Sequence, residues 1–159
     1  NICFENMADD RRYTTSQLVE MLQRCNIRPS VQRVAVLSYV ANGSKHPAAE
    51  EIYASLSQTF YSLSRTTVYN SLHILAEKGL VRELEIESGC IRYDMAPQPP
   101  HSHFVCRNCG RIADMPMPEG IAAIIMPEYS VDCVDVFLKG FCPDCRKLKS
   151  QPITNISTI

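Results

Sequence analysis

At 159 residues, 45% of them hydrophobic, the chain has room for one ordinary domain or two small ones, the second helped by metal, and two small domains are expected. A net charge of −1 and a pI near 6.5 argue against a bulk polyanion binder, so any nucleic-acid contact needs a local basic face. Eight cysteines without an export signal or a long apolar run argue against a secreted or membrane protein and point to the reducing cytoplasm, where thiolates persist as ligands.

Residues 1–13 read as an N-terminal extension, and Asn1–Asn6, ahead of Met7, is too short and polar to target anything. Residues 14–95 read as a winged helix-turn-helix. Leu18, Val19, Met21, Leu22 and Cys25 share one face of a helix over Ser16–Cys25. Ser30 offers an N-cap to a second helix, with Val31, Val34, Leu37 and Tyr39 or Val40 inward, stopped at Asn42-Gly43. After His46-Pro47, Ala49, Ile52, Tyr53 and Leu56 define a third helix over Ala48–Phe60, with Glu50 and Glu51 near its N-terminus. Ser64 caps a fourth that ends at Gly79; Val68, Leu72, Leu75 and Ala76 face inward, and Arg65, Thr66, Thr67, Tyr69, Asn70 and His73 face outward.

Leu80, Val81, Leu84 and Ile86, a turn at Glu87-Ser88-Gly89, and Cys90–Asp94 predict a β-hairpin. Short helices followed by a hairpin make a winged helix, and the outward face of the fourth helix has the composition of a major-groove reader: Arg for guanine, Asn for adenine, Thr or Tyr for the thymine methyl. The bland alternative is a solvated helix face. Arg82 and Arg92 either meet phosphate or are solvated, and Cys90 reads as a small buried apolar residue, with a redox role as the alternative.

Ala96-Pro97-Gln98-Pro99-Pro100 is a stiff extended linker. Residues 101–149 then predict a small α/β domain, giving an α+β chain. Its strands are His103–Val105, Arg111–Asp114 and Tyr129–Leu138, with a short helix over Pro118–Met126. Ile121, Ala122, Ile124, Ile125 and Met126 exceed what one helix face needs, which predicts a homodimer. Residues 150–159 read as a disordered tail.

Two Cys-x-x-Cys pairs, Cys106/Cys109 and Cys142/Cys145, have the spacing of a zinc site. Four thiolates close the coordination sphere, so the zinc is structural. Disulfides, a thioredoxin-like redox pair and an iron-sulfur cluster are the other readings of these cysteines. Once zinc takes the cysteines, His46, Asp94, His101, His103 and Asp114 remain as ligands suited to iron, manganese or zinc. Singly, each has a structural reading: His46 ends a loop, and Asp94 and Asp114 cap strand ends. The His-x-His pair is stronger, since a strand aligns both imidazoles on one side.

With these residues in hand the chain resembles the ferric uptake regulator (Fur) family. The matching residues are Val31-Gln32-Arg33, His46-Pro47, Thr66-Thr67-Val68-Tyr69-Asn70, Gly79-Leu80-Val81, Arg92-Tyr93-Asp94, the run from His101 to Gly110, and Cys142-Pro143-Asp144-Cys145. The resemblance covers about Thr14 to Lys149. It implies a homodimeric, metal-dependent repressor of a palindromic double-stranded DNA operator, with structural zinc on Cys106, Cys109, Cys142 and Cys145. It also implies a regulatory Fe(II), Mn(II) or Zn(II) site on His46, Asp94, His101, His103 and Asp114.

Asp at both carboxylate positions looks like the peroxide-sensing (PerR) branch. There, bound Fe(II) reacts with hydrogen peroxide and the oxidant modifies ligand histidines, by position His46 and His101. Iron sensing and zinc or manganese sensing without peroxide chemistry are the alternatives. The chain departs from the family pattern at Val134, where many members have a third-site histidine, leaving Cys133 as an unusual candidate ligand. It departs again at Pro29, displaced from the start of the second helix, and at Cys90, which is not a motif position.

A metal that binds one conformation better shifts the population towards it, and a divalent cation cancels two Asp charges near phosphate. The expectation is therefore a switch, with no membrane and no small-molecule substrate beyond peroxide as a signal. Two histidines and a carboxylate also make the facial triad of non-haem iron oxygenases. An enzyme would need a substrate pocket that no extra segment supplies, so the reading is not an enzyme. A DNA-binding protein with purely structural metals is the nearer rival.

Overall fold

The computed structural model describes residues 13–43, 46–87, 89–96, 101–120, 128–131 and 134–149. The chain divides into two compact units, residues 1–97 and 98–159, and each is taken on its own.

The first unit begins with α1, Thr15–Arg24. The Thr14 hydroxyl accepts the Gln17 N–H while the Gln17 side chain accepts the Thr14 N–H, a reciprocal cap that satisfies two otherwise unpaired donors. At the other end Asn26 adopts φ +56°; its N–H reaches Gln23 O, and Ile27 N–H reaches Leu22 O, closing the last carbonyls in a Schellman motif with asparagine where glycine is usual. The helix thus runs one residue ahead of the expected Ser16–Cys25 at both ends. Tyr13, just ahead of the cap, is tied to the end of the second helix: its N–H and C=O pair with the Asn42 side chain.

α2, Val31–Asn42, is capped by Ser30, whose hydroxyl accepts the Arg33 N–H at 3.2 Å. Its buried stripe is Val36, Leu37 and Val40. Val31, expected inward, is 72% exposed, because the first turn lies beyond the core it was expected to face. α3 is Ala49–Leu56, four residues short of the expected Phe60. Past Leu56 the backbone closes turns instead, Thr59 N–H to Leu56 O and Leu63 N–H to Phe60 O. The Ser57 hydroxyl takes the Ala54 carbonyl, the local competition that disfavours serine within helices. Leu63 is buried at the end of this connection.

α4, Arg65–Glu77, is capped by Ser64, whose hydroxyl accepts the Thr67 N–H at 3.1 Å. It closes on Gly79 at φ +68°, with Gly79 N–H on Ala76 O and Leu80 N–H on Leu75 O, another Schellman motif. Leu75 and Leu80, the apolar pair of that motif, are both buried. The hairpin follows as β1, Val81–Glu87, antiparallel to β2, Cys90–Met95, with a bulge between Glu85 and Glu87. One core joins these elements, built from Leu18, Leu22, Leu37, Ile52, Val68, Leu72 and Leu75 among others. Cys90 is exposed, against the expectation of burial, because it lies past the bulge at the turn, where the strand pair has run beyond the core.

The second unit is a three-stranded sheet in the order β4-β3-β5. Its strands are β3, His101–Cys106, β4, Ile112–Pro116, and β5, Phe137–Gly140. β3 pairs antiparallel with β4 and parallel with β5. α5, Pro143–Lys149, follows directly. The expected strand Tyr129–Leu138 is corrected: pairing begins only where His103 N–H meets Val136 O, and Tyr129 and Val131 are exposed, so their alternation marks no buried face. Pro118 is irregular, and Glu119 and Gly120 form a turn rather than the start of a helix. The remainder of that expected helix with its apolar face, Cys133, residues 97–100 of the linker and the tail 150–159 lie outside the described residues.

Candidate metal centre and nucleic-acid interface

β3 and β4 are joined by a tight knuckle across Cys106–Arg111. Cys106 N–H bonds Arg111 O, Gly110 N–H bonds Cys106 O, and Gly110 sits at φ +70°, a conformation that glycine adopts without penalty. Cys142 and Cys145 lie just ahead of and within α5, and an ion pair between Arg111 and Asp144 at 2.9 Å ties the two knuckles together. The four sulfurs all fall within 4.8 Å of one another. A tetrahedron with metal–sulfur bonds of about 2.3 Å has edges of about 3.8 Å, and the Cys109–Cys142 sulfurs are 3.8 Å apart. The donor set fits a closed structural zinc.

The thiols are tuned unequally. Cys142 N–H donates to Cys106 Sγ at 3.3 Å; this bond, then one from the Cys109 backbone, pulls the Cys106 thiol down to about 6. At Cys145 the Asn108 amide, 3.3 Å away, favours the thiolate. The neighbouring Cys142, burial and the two remaining cysteines outweigh it and push the thiol up to about 12. Four crowded thiols share negative charge unevenly, and a divalent cation is the group that lets all of them ionise. Asn108 is a site residue that spacing did not single out, although its place inside Cys-x-x-Cys puts its amide within reach of the quartet.

On the same strand, His101 and His103 point to one side, and Asp114 on β4 stands directly opposite His103 in register. The two Nε2 atoms are 3.1 Å apart, and Asp114 Oδ1 lies 3.7 and 3.8 Å from them. Bonds of about 2.1 Å place neighbouring ligand atoms about 3.0 Å apart at right angles and about 3.4 Å apart at the tetrahedral angle, so the two imidazoles match one edge of a nitrogen- and oxygen-ligated cation, and Asp114 stands a few tenths of an ångström outside that spacing. His103 is fully buried and stacks on Phe137 of β5 with ring centroids 5.7 Å apart, which fixes its ring. The fully buried Ser102 between them donates to the Pro116 carbonyl at 2.9 Å, locking the β4 end that carries Asp114.

In the first unit, His46 and Asp94 form a second pair of potential ligands, with Nε2 3.8 Å from Oδ1. His46 holds φ +42°, a left-handed conformation that costs a non-glycine residue about 1 kcal/mol or more. The bond from Tyr93 N–H to Pro47 O at 3.0 Å ties this loop to β2 and brings the pair together. The Asp94 Oδ1 also accepts Met95 N–H at 2.8 Å.

On α4, Arg65, Thr66, Tyr69, Asn70 and His73 are exposed. Thr67 is only half-exposed, its hydroxyl 2.9 Å from Ser64 Oγ within the cap. Arg65 bonds Glu50 at 3.0 Å and stacks over the Tyr53 ring, partners fifteen and twelve residues away that no sequence pattern announced. On the wing, Arg92 pairs with Glu51 at 2.6 Å and Arg82 lies 4.0 Å from Asp94, while Glu83 and Glu85 are exposed. The wing therefore offers phosphate little positive charge, and α4 is the better candidate surface. Among the described residues no helix is long and apolar enough to cross a membrane.

Comparison with known proteins follows the same outline. Residues 24–140 match the Ferric uptake regulator family. The chain is 35% identical to the peroxide operon regulator of Bacillus subtilis over 140 residues, 85% of this chain and 95% of that one. It is 32% identical to the peroxide-responsive repressor PerR of Staphylococcus aureus over 132 residues, 80% of this chain and 88% of the relative. Its fold is similar to that of the Helicobacter pylori ferric uptake regulator, with a TM-score of 0.70 at 24% identity, covering 86% of this chain and 96% of that one.

Proposed function

The chain belongs to the ferric uptake regulator family, and from that premise we propose that it is a metal-dependent DNA-binding repressor that responds to peroxide. The observation that carries the metal dependence is the His101–His103–Asp114 cluster beside a separate, closed cysteine quartet. Two donor sets of different softness suit two different ions: zinc for the thiolates, and Fe(II) or Mn(II), with Zn(II) possible, for the imidazoles and carboxylates. The peroxide response is supported by two relatives at 35% and 32% identity, a peroxide operon regulator and a peroxide-responsive repressor, together with aspartate at both carboxylate positions.

In this reading His46 and Asp94 complete the regulatory ligand set with His101, His103 and Asp114. Ligands from both units then make occupancy of the site and DNA affinity two sides of one equilibrium. Bound Fe(II) supplies the one-electron chemistry that turns peroxide into a short-range oxidant. The chain's own part is to hold His46 and His101 against that oxidant; an oxidised imidazole is a poorer ligand, so metal is lost and DNA is released. A homodimer presents two copies of α4 to successive major grooves of a palindromic operator, in the cytoplasm. The relatives are regulators, and the role proposed for this chain is likewise regulatory rather than enzymatic.

The test is binding to duplexes selected from a random library, measured with Fe(II), with Mn(II) and after chelation of the regulatory ion. Binding should be at least tenfold tighter with either metal, and low peroxide should abolish the Fe-supported binding alone. Equal affinity with and without metal contradicts the switch. Peroxide resistance of both metal forms makes the protein a metal-responsive repressor without peroxide chemistry.

A further inference from the structure

Arg65 occupies the first helical position of α4, the end from which a recognition helix brings side chains to base edges. Its guanidinium is held at two points. Nε donates to Glu50 Oε2 at 3.0 Å, and the central carbon lies 4.4 Å from the centroid of the Tyr53 ring. Both partners come from α3. The adjacent Glu51 is committed elsewhere, accepting the Ala48 N–H at 2.8 Å and pairing with Arg92 at 2.6 Å. The Arg65 side chain nevertheless stays 62% exposed, and among the described residues its Nη atoms carry no hydrogen bond.

A guanidinium offers two donor edges, and guanine presents O6 and N7 to a pair of parallel donors. With Nε taken by Glu50, the Nη1/Nη2 fork is the edge left for DNA. A fork pinned by a carboxylate and an aromatic face has lost the rotamer freedom that lets a free arginine settle on whichever phosphate is nearest. We infer that Glu50 and Tyr53 are positioning residues for sequence recognition, holding Arg65 as a rigid fork that reads one guanine in each half-site. This rests on the DNA-binding function proposed above and names the base and the residues that select it.

The experiment is selection from a random duplex library by the metal-loaded full chain, followed by affinities for matched and singly substituted duplexes across a salt series. Wild type retains guanine at one position per half-site, and Arg65→Ala loses about tenfold or more of that preference while the remaining positions hold. Glu50→Gln and Tyr53→Leu lose the same preference several-fold, bind unselected DNA more tightly, and steepen the salt dependence by about one phosphate's worth as Arg65 moves to the backbone. Tyr53→Phe keeps the ring and restores the preference, which separates positioning from a folding defect. An unchanged or sharpened guanine preference in Glu50→Gln, or equal loss at every position, overturns the inference. Selection without any Arg65-dependent guanine overturns it while leaving the DNA-binding function intact; absence of any sequence selection by wild type overturns that function itself.

Discussion

Removing zinc from the cysteine quartet should unfold the second unit while sparing the first. The asymmetry follows from what each unit buries. The first has a continuous apolar core of leucine, isoleucine, valine and aromatic side chains. In the second, the cluster at the knuckles consists of Cys106, Cys142 and Cys145 themselves, with Phe104 packed against them, so the metal replaces the apolar core there. Structural zinc contributes apparent free energies on the order of 10 kcal/mol or more near neutral pH, as large as the whole stability of a typical domain; among the described residues of β3, β4 and α5, Val105 and Ile112 are the buried apolar side chains besides the cysteines, too few to offset that loss. Hydrogen exchange under reducing conditions, before and after a strong chelator, reads this directly. The amides of Cys106, Arg107 and Gly110, bonded within the knuckle and to Gly140, should lose protection, while α4 amides around Leu72 keep theirs. Retained protection across 101–116 in a sample shown to hold no zinc would refute the reasoning.

Leu72→Ala empties a fully buried position at the centre of the first unit and should cost about 3 kcal/mol, seen as an earlier thermal transition of that unit. Asp114→Asn removes the charge of a proposed ligand that is half-exposed. Solvent screening limits the loss to about 2 kcal/mol, or about 30-fold in Mn(II) affinity, while titration of the cysteine zinc stays at one equivalent. Tyr93 is buried, and burial first, then Glu83, pushes its phenol up to about 12. Because the folded value lies above the ordinary value of about 10, its contribution is whole below pH 10 and fades as pH rises towards 12, by about 2 kcal/mol. Tyr93→Phe should flatten that part of the alkaline unfolding curve.

Where side-chain chemistry acts locally, the sequence was readable. Ser64, Gly79 and the spacing of Val68, Leu72 and Leu75 identify α4 and its buried face because caps and periodicity operate within a few residues. The cysteine quartet was legible for the same reason, and strand alternation aligned His101 with His103. That Asp114 stands opposite His103 is a matter of register, which the knuckle between Cys106 and Arg111 sets through hydrogen bonds that no residue pattern announces. The short β5 and the exposure of Cys90 depend on where the core stops, a tertiary property. The Arg65–Glu50–Tyr53 contact joins two helices and depends on how they pack.

Peroxide sensing, as proposed, proceeds by oxidation of the histidines that would hold the regulatory ion. The direct measurement is mass spectrometry of the Fe(II)-loaded protein after low peroxide, in parallel with the Mn(II)-loaded form. Peptides containing His46 or His101 should gain about one oxygen in the iron form only, in step with the loss of DNA binding. Unmodified His46 and His101 in a sample shown to hold iron, with DNA binding unaffected by peroxide, would contradict it.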